Sequence, residues 1–326
     1  MKFLKFFLAL MIFALIPAFL FAANPQKVEA VAVVELRHKK VDERPVLSQV
    51  MFSRDGQFMV TAGDDQVLRV WNTKTGEMID EHLNHNDWIR GAAFSPDGGK
   101  LVSVSQDGEI KVWNIAQQTV QKIPHEKIRG SRVLQFSPDG SKFAVCGYDS
   151  LVYCFDANTS KLLYKIQGPS YSLTAMSFSP DGMYLAAGGR NGKIMVWRSD
   201  VGSLVKEIRG DGRRVRAVVF RPDGKQLASG TDSSRISIWD VTTGQLVTML
   251  PDHDSKTFSL SYCGNDLLAS GESDNVVRLW DLTGNRLIAQ FVGHTGTVST
   301  LFYDETQNQL VSGGFDTTVR RWAMVR

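Results

Sequence analysis

Residues 95–113 have the sequence SPDGGKLVSVSQDGEIKVW, which contains the signals that decide the fold. The opening Ser-Pro-Asp-Gly predicts a tight turn, because Pro fixes φ, Asp forms local hydrogen bonds and Gly adopts a positive φ. The segment before Trp113 alternates in side-chain character with the period of two that a half-buried strand shows. The stretch therefore predicts a β-hairpin that ends at Trp113.

This unit recurs along the chain with a nearly constant period. Related turn signals stand at residues 53–56, 137–140, 179–182 and 221–224. An aromatic residue closes each of seven units, at Trp71, Trp113, Phe155, Trp197, Trp239, Trp280 and Trp322. Successive members of this series are 42, 42, 42, 42, 41 and 42 residues apart. Such a period indicates a repeat architecture in which each repeat is one supersecondary unit.

Composition excludes several other classes of protein. The chain has 326 residues, of which 43% are hydrophobic and 22% charged, and these values are ordinary for a globular protein. Collagen-like, disordered and polytopic membrane classes are therefore not expected. A net charge of +3 argues against nucleic acid as a partner, and three cysteines are too few for a disulfide scaffold.

The N-terminal residues have the plan of a secretory signal. Lys2 and Lys5 precede an uncharged apolar run at residues 6–21. Cleavage after Ala22 or Ala23 would leave a large residue where a small one is preferred, so an uncleaved membrane anchor at residues 6–21 remains the alternative. The sequence thus predicts an exported protein, periplasmic or secreted, with residues 1–23 as the signal peptide or anchor.

The seven units resemble WD40 repeats in their period, in their turn signal and in their closing pair, which is Trp-Asp at Trp239-Asp240 and Trp280-Asp281. The resemblance implies an all-β, seven-bladed propeller over residues 31–326, with residues 24–30 as a short linker. Only four residues follow the last closing Trp. By the ring closure usual in this family, the apolar segment 31–36 is expected to supply the outer strand of the seventh blade.

The resemblance also implies buried hydrogen-bonded sets of Trp, Ser, His and Asp, which stabilise a blade only when they are complete. Three blades carry all four residues: His85, Ser103, Asp107 and Trp113; His253, Ser270, Asp274 and Trp280; His294, Ser312, Asp316 and Trp322. The first blade matches three positions, with His38 as a candidate fourth. Blades three to five depart from the pattern and are expected to depend more on packing.

The same side chains also occur in hydrolase triads, but here the set recurs at blade spacing and is tied each time to a Trp. We therefore expect a structural role and no catalytic residue. The remaining histidines, His38, His82 and His125, have no metal-ligand spacing, and no Gly-rich segment leads from a strand into a helix. The sequence predicts a protein that is not an enzyme and has no metal and no cofactor.

Two cysteines flank the turn of the third unit. Cys146 lies three residues before Asp149 and Cys154 five after it. We expect the hairpin register to place them opposite each other, within disulfide range. Either a disulfide or two buried thiols would fit this placement, and export would permit oxidation.

In the family, three positions of each blade face the partner at the narrow end of the propeller. Carried onto this chain, the rule selects Trp88, Arg90, Arg132, Tyr148, Arg190, Arg214, Arg216, Lys256, Phe258 and Phe315. Asp64 and Asp232 are the only acidic residues at these positions. Arginines here could be simply solvated, but Arg and Trp are enriched where binding energy concentrates, and Trp88 is the one Trp that the repeat does not require.

These observations predict a non-catalytic, extracytoplasmic scaffold for protein-protein interaction. Arginine forks match carboxylates and phosphates, so the expected partner is an acidic or anionic peptide segment bound on the Arg- and aromatic-rich narrow face. We expect a monomeric propeller within a complex, with no nucleic acid and no membrane contact beyond the N-terminal anchor. The alternative is an extracytoplasmic enzyme or small-ligand binder that uses the propeller channel.

Overall fold

A computed structural model describes residues 25–35 and 47–324, apart from residues 54, 64, 84, 116, 118, 125–127 and 129. The segment expected to be a signal peptide or anchor, residues 1–23, lies outside the described residues, as do His38, Asp64 and His125. The described residues form 29 strands and no helix. Among them there is accordingly no helix with the length and apolar character needed to span a membrane.

The strands form seven sheets, which are the blades, and each blade is built around consecutive antiparallel strands. Blade 1 contains β3 (Leu47–Phe52), β4 (Phe58–Gly63), β5 (Val67–Asn72) and β6 (Met78–Leu83). Blade 2 contains β7 (Ile89–Phe94), β8 (Lys100–Ser105), β9 (Ile110–Asn114) and β10 (Thr119–Lys122). Blade 3 contains β11 (Ser131–Phe136), β12 (Lys142–Gly147), β13 (Leu151–Asp156) and β14 (Leu162–Gln167).

The remaining blades repeat this order. Blade 4 contains β15 (Leu173–Phe178), β16 (Tyr184–Gly189), β17 (Lys193–Arg198) and β18 (Leu204–Arg209). Blade 5 contains β19 (Val215–Phe220), β20 (Gln226–Thr231), β21 (Ile236–Asp240) and β22 (Leu246–Met249). Blade 6 contains β23 (Thr257–Tyr262), β24 (Leu267–Glu272), β25 (Val277–Asp281) and β26 (Arg286–Phe291). Blade 7 contains β27 (Val298–Asp304), β28 (Gln309–Gly314) and β29 (Thr318–Ala323).

The first strand of each blade lies innermost, and these seven strands form a closed ring. Each contacts the first strand of the next blade, and β27 returns to contact β3. The fold is therefore a seven-bladed β-propeller, as the repeat predicts. The inner strands all begin at one face, which we call the narrow face, and the second strands return to it because the blades are antiparallel.

The segment before blade 1 pairs with the last blade. Strand β2 (Ala32–Glu35) runs antiparallel to β29, in a register from Ala32 opposite Arg321 to Glu35 opposite Thr318. The backbone N–H of Val31 extends the ladder by donating to the carbonyl of Arg321 at 2.8 Å. This pairing joins the two ends of the described chain and covers the free edge of β29.

The predicted linker at residues 24–30 contains a strand, so that part of the prediction is wrong. Strand β1 (Gln26–Val28) pairs in parallel with the outer strand β26, with Val28 opposite Phe291. The pairing satisfies backbone groups that an outer strand otherwise exposes, and Val28 packs against the cluster that includes Phe291. Three residues with no alternating pattern of their own give little sequence signal for such an added strand.

The core consists of apolar layers between neighbouring blades, and the closing aromatics fill them. Trp113 of blade 2 packs against Val60 and Leu68 of blade 1. Trp71 of blade 1 packs in the same way against Val311 and Val319 of blade 7. Each layer therefore needs the next blade to complete it, which explains why the repeat has to continue around the ring.

The strand register shows that the expected pairing of the two cysteines is wrong. Cys146 lies opposite Val152, and Cys154 lies opposite Ala144. The cysteines are thus a diagonal pair, and diagonal Cα atoms are about 7–8 Å apart, beyond ordinary disulfide range. All three cysteines of the chain are free and buried.

The reason for this error is visible in blade 2. The Trp113 indole donates to the Ser103 hydroxyl at 3.0 Å, yet Ser103 lies opposite Lys111 and not opposite Trp113. The long indole reaches the hydroxyl diagonally across the ladder. The Trp therefore contacts a Ser that lies two residues away from the residue directly opposite it in the ladder. Cys146 and Cys154 have the same diagonal relationship, but their side chains are too short to reach each other.

Candidate functional site

Blade 2 contains a complete chain of polar side chains. Ser103 Oγ accepts from Trp113 Nε1 at 3.0 Å and lies 2.8 Å from His85 Nε2. His85 Nδ1 lies 3.3 Å from Asp107 Oδ2. A neutral imidazole with its proton on Nδ1 satisfies the chain, because it donates to the carboxylate and accepts from the serine. Burial is the main cause that lowers the pKa of His85, which favours this neutral form.

Blade 7 repeats the arrangement with shorter distances. His294 lies 2.7 Å from Ser312 Oγ and 2.8 Å from Asp316 Oδ2, and Trp322 Nε1 donates to Ser312 at 2.8 Å. Burial opposes ionisation of Asp316, but the hydrogen bond and charge of His294 lower the pKa of Asp316 well below its usual range. This carboxylate is therefore ionised in the folded protein at neutral pH.

Blade 6 does not form the predicted set. Trp280 Nε1 donates to Ser270 Oγ at 2.9 Å, but Asp274 accepts from Arg278 at 2.6 Å. His253 Nε2 faces Glu272 Oε1 at 3.2 Å. His253 Nδ1 lies 3.4 Å from the carbonyl oxygen of Pro251. The ring nitrogens of His253 therefore have partners other than Ser270 and Asp274, because Glu272 places a carboxylate where blades 1, 3, 4 and 7 have glycine.

The other blades vary in how much of the polar set they keep. In blade 1, Trp71 donates to Thr61 at 2.7 Å. In blade 3, Phe143 and Phe155 stack at 5.1 Å, and in blade 4 Ala187 removes the hydroxyl. Packing therefore dominates in these two blades, as predicted.

Blade 5 is an exception to that prediction. Trp239 donates to Ser229 at 2.8 Å, and Ser233 donates to Asp211 at 2.8 Å. Asp211 precedes Ser233 by 22 residues, which is the spacing from His85 to Asp107. The carboxylate of Asp211 thus stands at the position that His85 has in blade 2, and its partner Ser233 stands at the position of Asp107. The blade keeps a polar pair that a search for His and Asp misses.

The sets of blades 2 and 7 have no accessible nucleophile. Ser103 and Ser312 are completely buried, and each already contacts a Trp and a His. A hydrolase would need its serine open to substrate. Among the residues that the structure describes, no group of three or more His, Cys, Asp and Glu side chains is arranged to hold a metal ion.

The predicted partner-binding residues lie at the narrow face. Arg90, Arg132 and Arg216 stand near the start of the inner strands β7, β11 and β19, and Phe258 occupies the same region of β23. Trp88, Arg214 and Lys256 directly precede inner strands, and their carbonyl groups accept from Gln106, Asp232 and Ser273. Tyr148, Arg190 and Phe315 directly follow second strands.

Four arginines of this face stack on aromatic rings. The guanidinium carbon lies 4.4 Å from the ring centre for Arg90 over Trp88 and 4.6 Å for Arg216 over Phe258. The distances are longer, 6.0 Å and 5.9 Å, for Arg132 over Tyr148 and Arg190 over Tyr171. Stacking itself uses no N–H donor of a guanidinium, although Arg132 also donates one hydrogen bond to the hydroxyl of its ring partner, Tyr148.

The electrostatics of the face favour an anion. Of the four stacked arginines, Arg216 forms an ion pair with a described carboxylate, that of Asp232. Arg132 Nη1 instead donates to the Tyr148 hydroxyl at 2.9 Å. The pKa of Arg90 is lowered by burial and then by the charge of Arg132. The second of these causes reflects two positive groups that lie close together.

A cavity of about 130 Å³ opens at the centre of the face. Its walls include Arg90, Arg132, Arg216, Phe258 and Phe315, which come from five different blades. Below it, a second cavity of about 240 Å³ is lined by residues of all seven inner strands and forms the channel of the propeller. The arginines thus surround the mouth of the axial channel.

Comparison with protein families agrees with this architecture. The model for the WD domain, G-beta repeat, matches residues 36–72, 76–114, 119–156 and 285–323. A model for the WD40 domain of anaphase-promoting complex subunit 4 matches residues 176–265. The chain belongs to the WD40-repeat family. WD40 propellers are generally non-catalytic scaffolds that bind proteins, and a comparison of this WD40 protein with curated proteins found no match.

The list of predicted binding residues omits two residues of this WD40 propeller that shape the narrow face. Tyr171 is 65% exposed and stacks under Arg190, but it lies in the loop before β15, outside the three positions that the rule selects. The side-chain amide oxygen of Gln106 faces Arg90 and accepts hydrogen bonds from Arg90 Nε at 3.0 Å and from Arg90 Nη2 at 2.9 Å. Gln106 was detectable from sequence as the residue directly before Asp107, whereas Tyr171 had no positional signal.

Proposed function

We propose that this protein is an exported interaction scaffold that binds an acidic protein segment on its narrow face. The observation that carries the proposal is the set of four arginines stacked on aromatic rings around the channel mouth. A face with several guanidinium groups and few described carboxylates attracts negative charge. Its most direct ligand is a peptide rich in Asp, Glu or other anionic groups.

Exposed aromatic rings support a peptide over a simple ion as the ligand of the whole face. Trp88 is 42% exposed, Tyr148 49% and Phe315 40%. Aromatic and arginine side chains are the types most enriched in the energetic centres of protein interfaces. The rings supply apolar area for the partner's side chains, while the guanidinium groups fix its carboxylates.

The location part of the proposal depends on the N-terminal sequence. Lys2, Lys5 and the apolar residues 6–21 support export, with the propeller periplasmic or secreted if the segment is cleaved and membrane-anchored if it is not. Fractionation of cells that express the full chain, followed by N-terminal sequencing, distinguishes the two forms. Recovery of the protein in the cytoplasm with Met1 intact would refute export.

The size of the channel bears on the alternative function of a small-ligand binder or enzyme. The channel cavity of about 240 Å³ is smaller than the range of about 300–1,000 Å³ that is usual for small-molecule sites, but the adjoining cavity of about 380 Å³ at the opposite end of the inner strands lies within that range. Volume alone therefore does not decide between the two functions. We favour the face because the four stacked arginines lie there, and we propose a non-enzymatic function.

The binding proposal is tested with a fluorescent Glu-rich peptide and charge-reversed variants. The test protein carries Arg90→Glu, Arg132→Glu and Arg216→Glu. The control carries Lys161→Glu, Lys165→Glu and Lys225→Glu, which make the same change in net charge at exposed sites away from the face. We expect the face variant to bind at least about 100-fold more weakly by fluorescence anisotropy, since interface arginines often contribute 2 kcal/mol or more each.

The matched control decides how that result is interpreted. If both variants lose affinity equally, the attraction depends on overall charge and the narrow face is not the site. A melting temperature close to that of the wild type for both variants confirms that the folded proteins are being compared. A Lys-rich peptide of equal length should show no binding to any of them.

A further inference from the structure

The cavity at the channel mouth differs from the rest of the narrow face in its density of positive charge. It combines Arg90, Arg132 and Arg216 with two aromatic walls, Phe258 and Phe315. Its volume of about 130 Å³ corresponds to roughly four water molecules at about 30 Å³ each. The space therefore has room for one compact anion.

The charges in this cavity are incompletely neutralised within the described chain. Arg216 pairs with Asp232, but no described carboxylate forms an ion pair with Arg90 or Arg132. Among the described residues, these two partly buried guanidinium groups therefore have no carboxylate partner. Their mutual repulsion contributes to the lowered pKa of Arg90. An anion that entered would relieve this repulsion.

The donors that would meet such an anion are already oriented. One edge of Arg90 is held by the Gln106 oxygen, and Arg132 is held by the Tyr148 hydroxyl. Each guanidinium has five N–H donors, so others remain free after these contacts. The hydroxyl groups in the cavity wall already donate to the protein backbone: Thr174 donates to the carbonyl of Val215, and Ser299 donates to the carbonyl of Gly313. The guanidinium N–H groups are thus the main donors available.

We infer that this axial cavity is a binding site for a phosphate-class dianion, an inference that rests on the proposed function of the surrounding face. A single carboxylate would neutralise one of the two unpaired guanidinium groups, whereas a dianion neutralises both. Planar guanidinium forks also match phosphate oxygens in pairs. The source of the dianion is either a phosphorylated side chain within an acidic partner segment or inorganic phosphate.

Calorimetric titrations with three probes test the inference on the full chain. The probes are inorganic phosphate, an acidic peptide with one central phosphoserine, and the same peptide with Glu in place of phosphoserine. At pH 7.5 the phosphate group carries close to two negative charges. We expect the phosphopeptide to bind at least about tenfold more tightly than the Glu peptide, because it neutralises one more charge.

Variants identify the cavity as the cause of that preference. Arg90→Met and Arg132→Met should each abolish the preference for phosphoserine. Arg209→Met is the matched control, because Arg209 is exposed on the outer strand β18 and does not line the cavity. Arg132→Lys keeps the charge but loses the fork, so it should retain only part of the preference even if a methionine variant folds poorly.

The outcomes separate this inference from the proposed function. Equal binding of the two peptides to the wild type overturns the phosphate site and leaves the acidic-peptide face intact. Binding of inorganic phosphate that depends on Arg90 and Arg132, with no binding of either peptide, supports the site and refutes the peptide-binding function. Failure of both phosphate and phosphopeptide to bind overturns the site.

Discussion

His253 Nε2 lies 3.2 Å from Oε1 of Glu272, and both side chains are almost completely buried. Thr257 Oγ1 also donates toward Glu272, at 3.2 Å from Oε2. This buried pair replaces the hydrogen bond that His253 was expected to make with Ser270. Blade 6 thus stabilises its loop before β23 through an ion pair or hydrogen bond to the end of β24.

A double-mutant cycle on this pair should show strong coupling. Removing one partner of a buried polar pair typically costs about 1–3 kcal/mol, because the remaining group loses its hydrogen bond. We expect His253→Ala and Glu272→Ala each to lower the free energy of unfolding, and the double variant to lose less than the total of the two losses. The measurement is urea unfolding followed by circular dichroism.

Ser270 provides the control for this cycle. His253→Ala and Ser270→Ala should be nearly additive, since these residues have separate partners, whereas His294→Ala and Ser312→Ala should couple. Coupling between His253 and Ser270 as large as that between His294 and Ser312 would mean that blade 6 has the complete set after all.

The stability of the protein should decrease as the pH falls below about 6.5. Burial lowers the pKa of His85 in the folded state, so the unfolded chain binds a proton more readily there. This contribution is complete above the unfolded pKa of about 6.5 and is lost at lower pH, with a limiting slope near 1.4 kcal/mol per pH unit. Unfolding free energies measured from pH 7.5 to 5 should fall less steeply for His85→Gln. An unchanged slope would show that His85 does not titrate as described.

The pairing of β2 with β29 should be important for the whole ring. Proline at Val31 removes the backbone N–H that donates to the carbonyl of Arg321, whereas alanine at this exposed position keeps the backbone intact. We expect Val31→Pro to lower the melting temperature by several degrees and to speed proteolysis, because it weakens the pairing that closes blade 7. Val31→Ala should stay close to the wild type. Equal behaviour of the two variants would contradict a closing role for β2.

The three cysteines should behave as protected thiols. Burial raises the pKa values of Cys146 and Cys154, and it raises that of Cys263 to about 12. Thiolate is the reactive form, so Ellman's reagent should label none of them in the native protein and all three after denaturation without reductant. Two unlabelled thiols under denaturing conditions would instead reveal a disulfide between Cys146 and Cys154.

Most of the fold could be predicted from sequence because its signals are local and repeated. The Ser-Pro-Asp-Gly turn and the closing aromatic define each hairpin within about 20 residues, and the period then implies the ring. The position of β1 could not be predicted in this way. It depends on the free edge of β26, more than 250 residues later in the chain.

The sequence predicted the site residues that stand at repeated positions of the blades. It did not predict those that lie in loops or that depend on a single changed side chain. Arg90, Arg132 and Arg216 stand at equivalent positions of inner strands, so spacing located them. Tyr171 lies in a loop of no fixed spacing. Glu272 gives His253 a different partner, and it stands at a position that is glycine in four other blades.

Hydrogen-exchange mass spectrometry with a saturating Glu-rich peptide tests the central claim most directly, because it maps the contact without a mutation. We predict slower exchange in the segments that form the narrow face, namely residues 86–92, 130–134, 148–150, 170–174 and 213–217. The turns at residues 95–98, 137–140 and 179–182, at the opposite ends of the inner strands, should be unchanged. Protection of those turns, or no protection anywhere at saturation, would contradict the assignment of the narrow face as the binding surface.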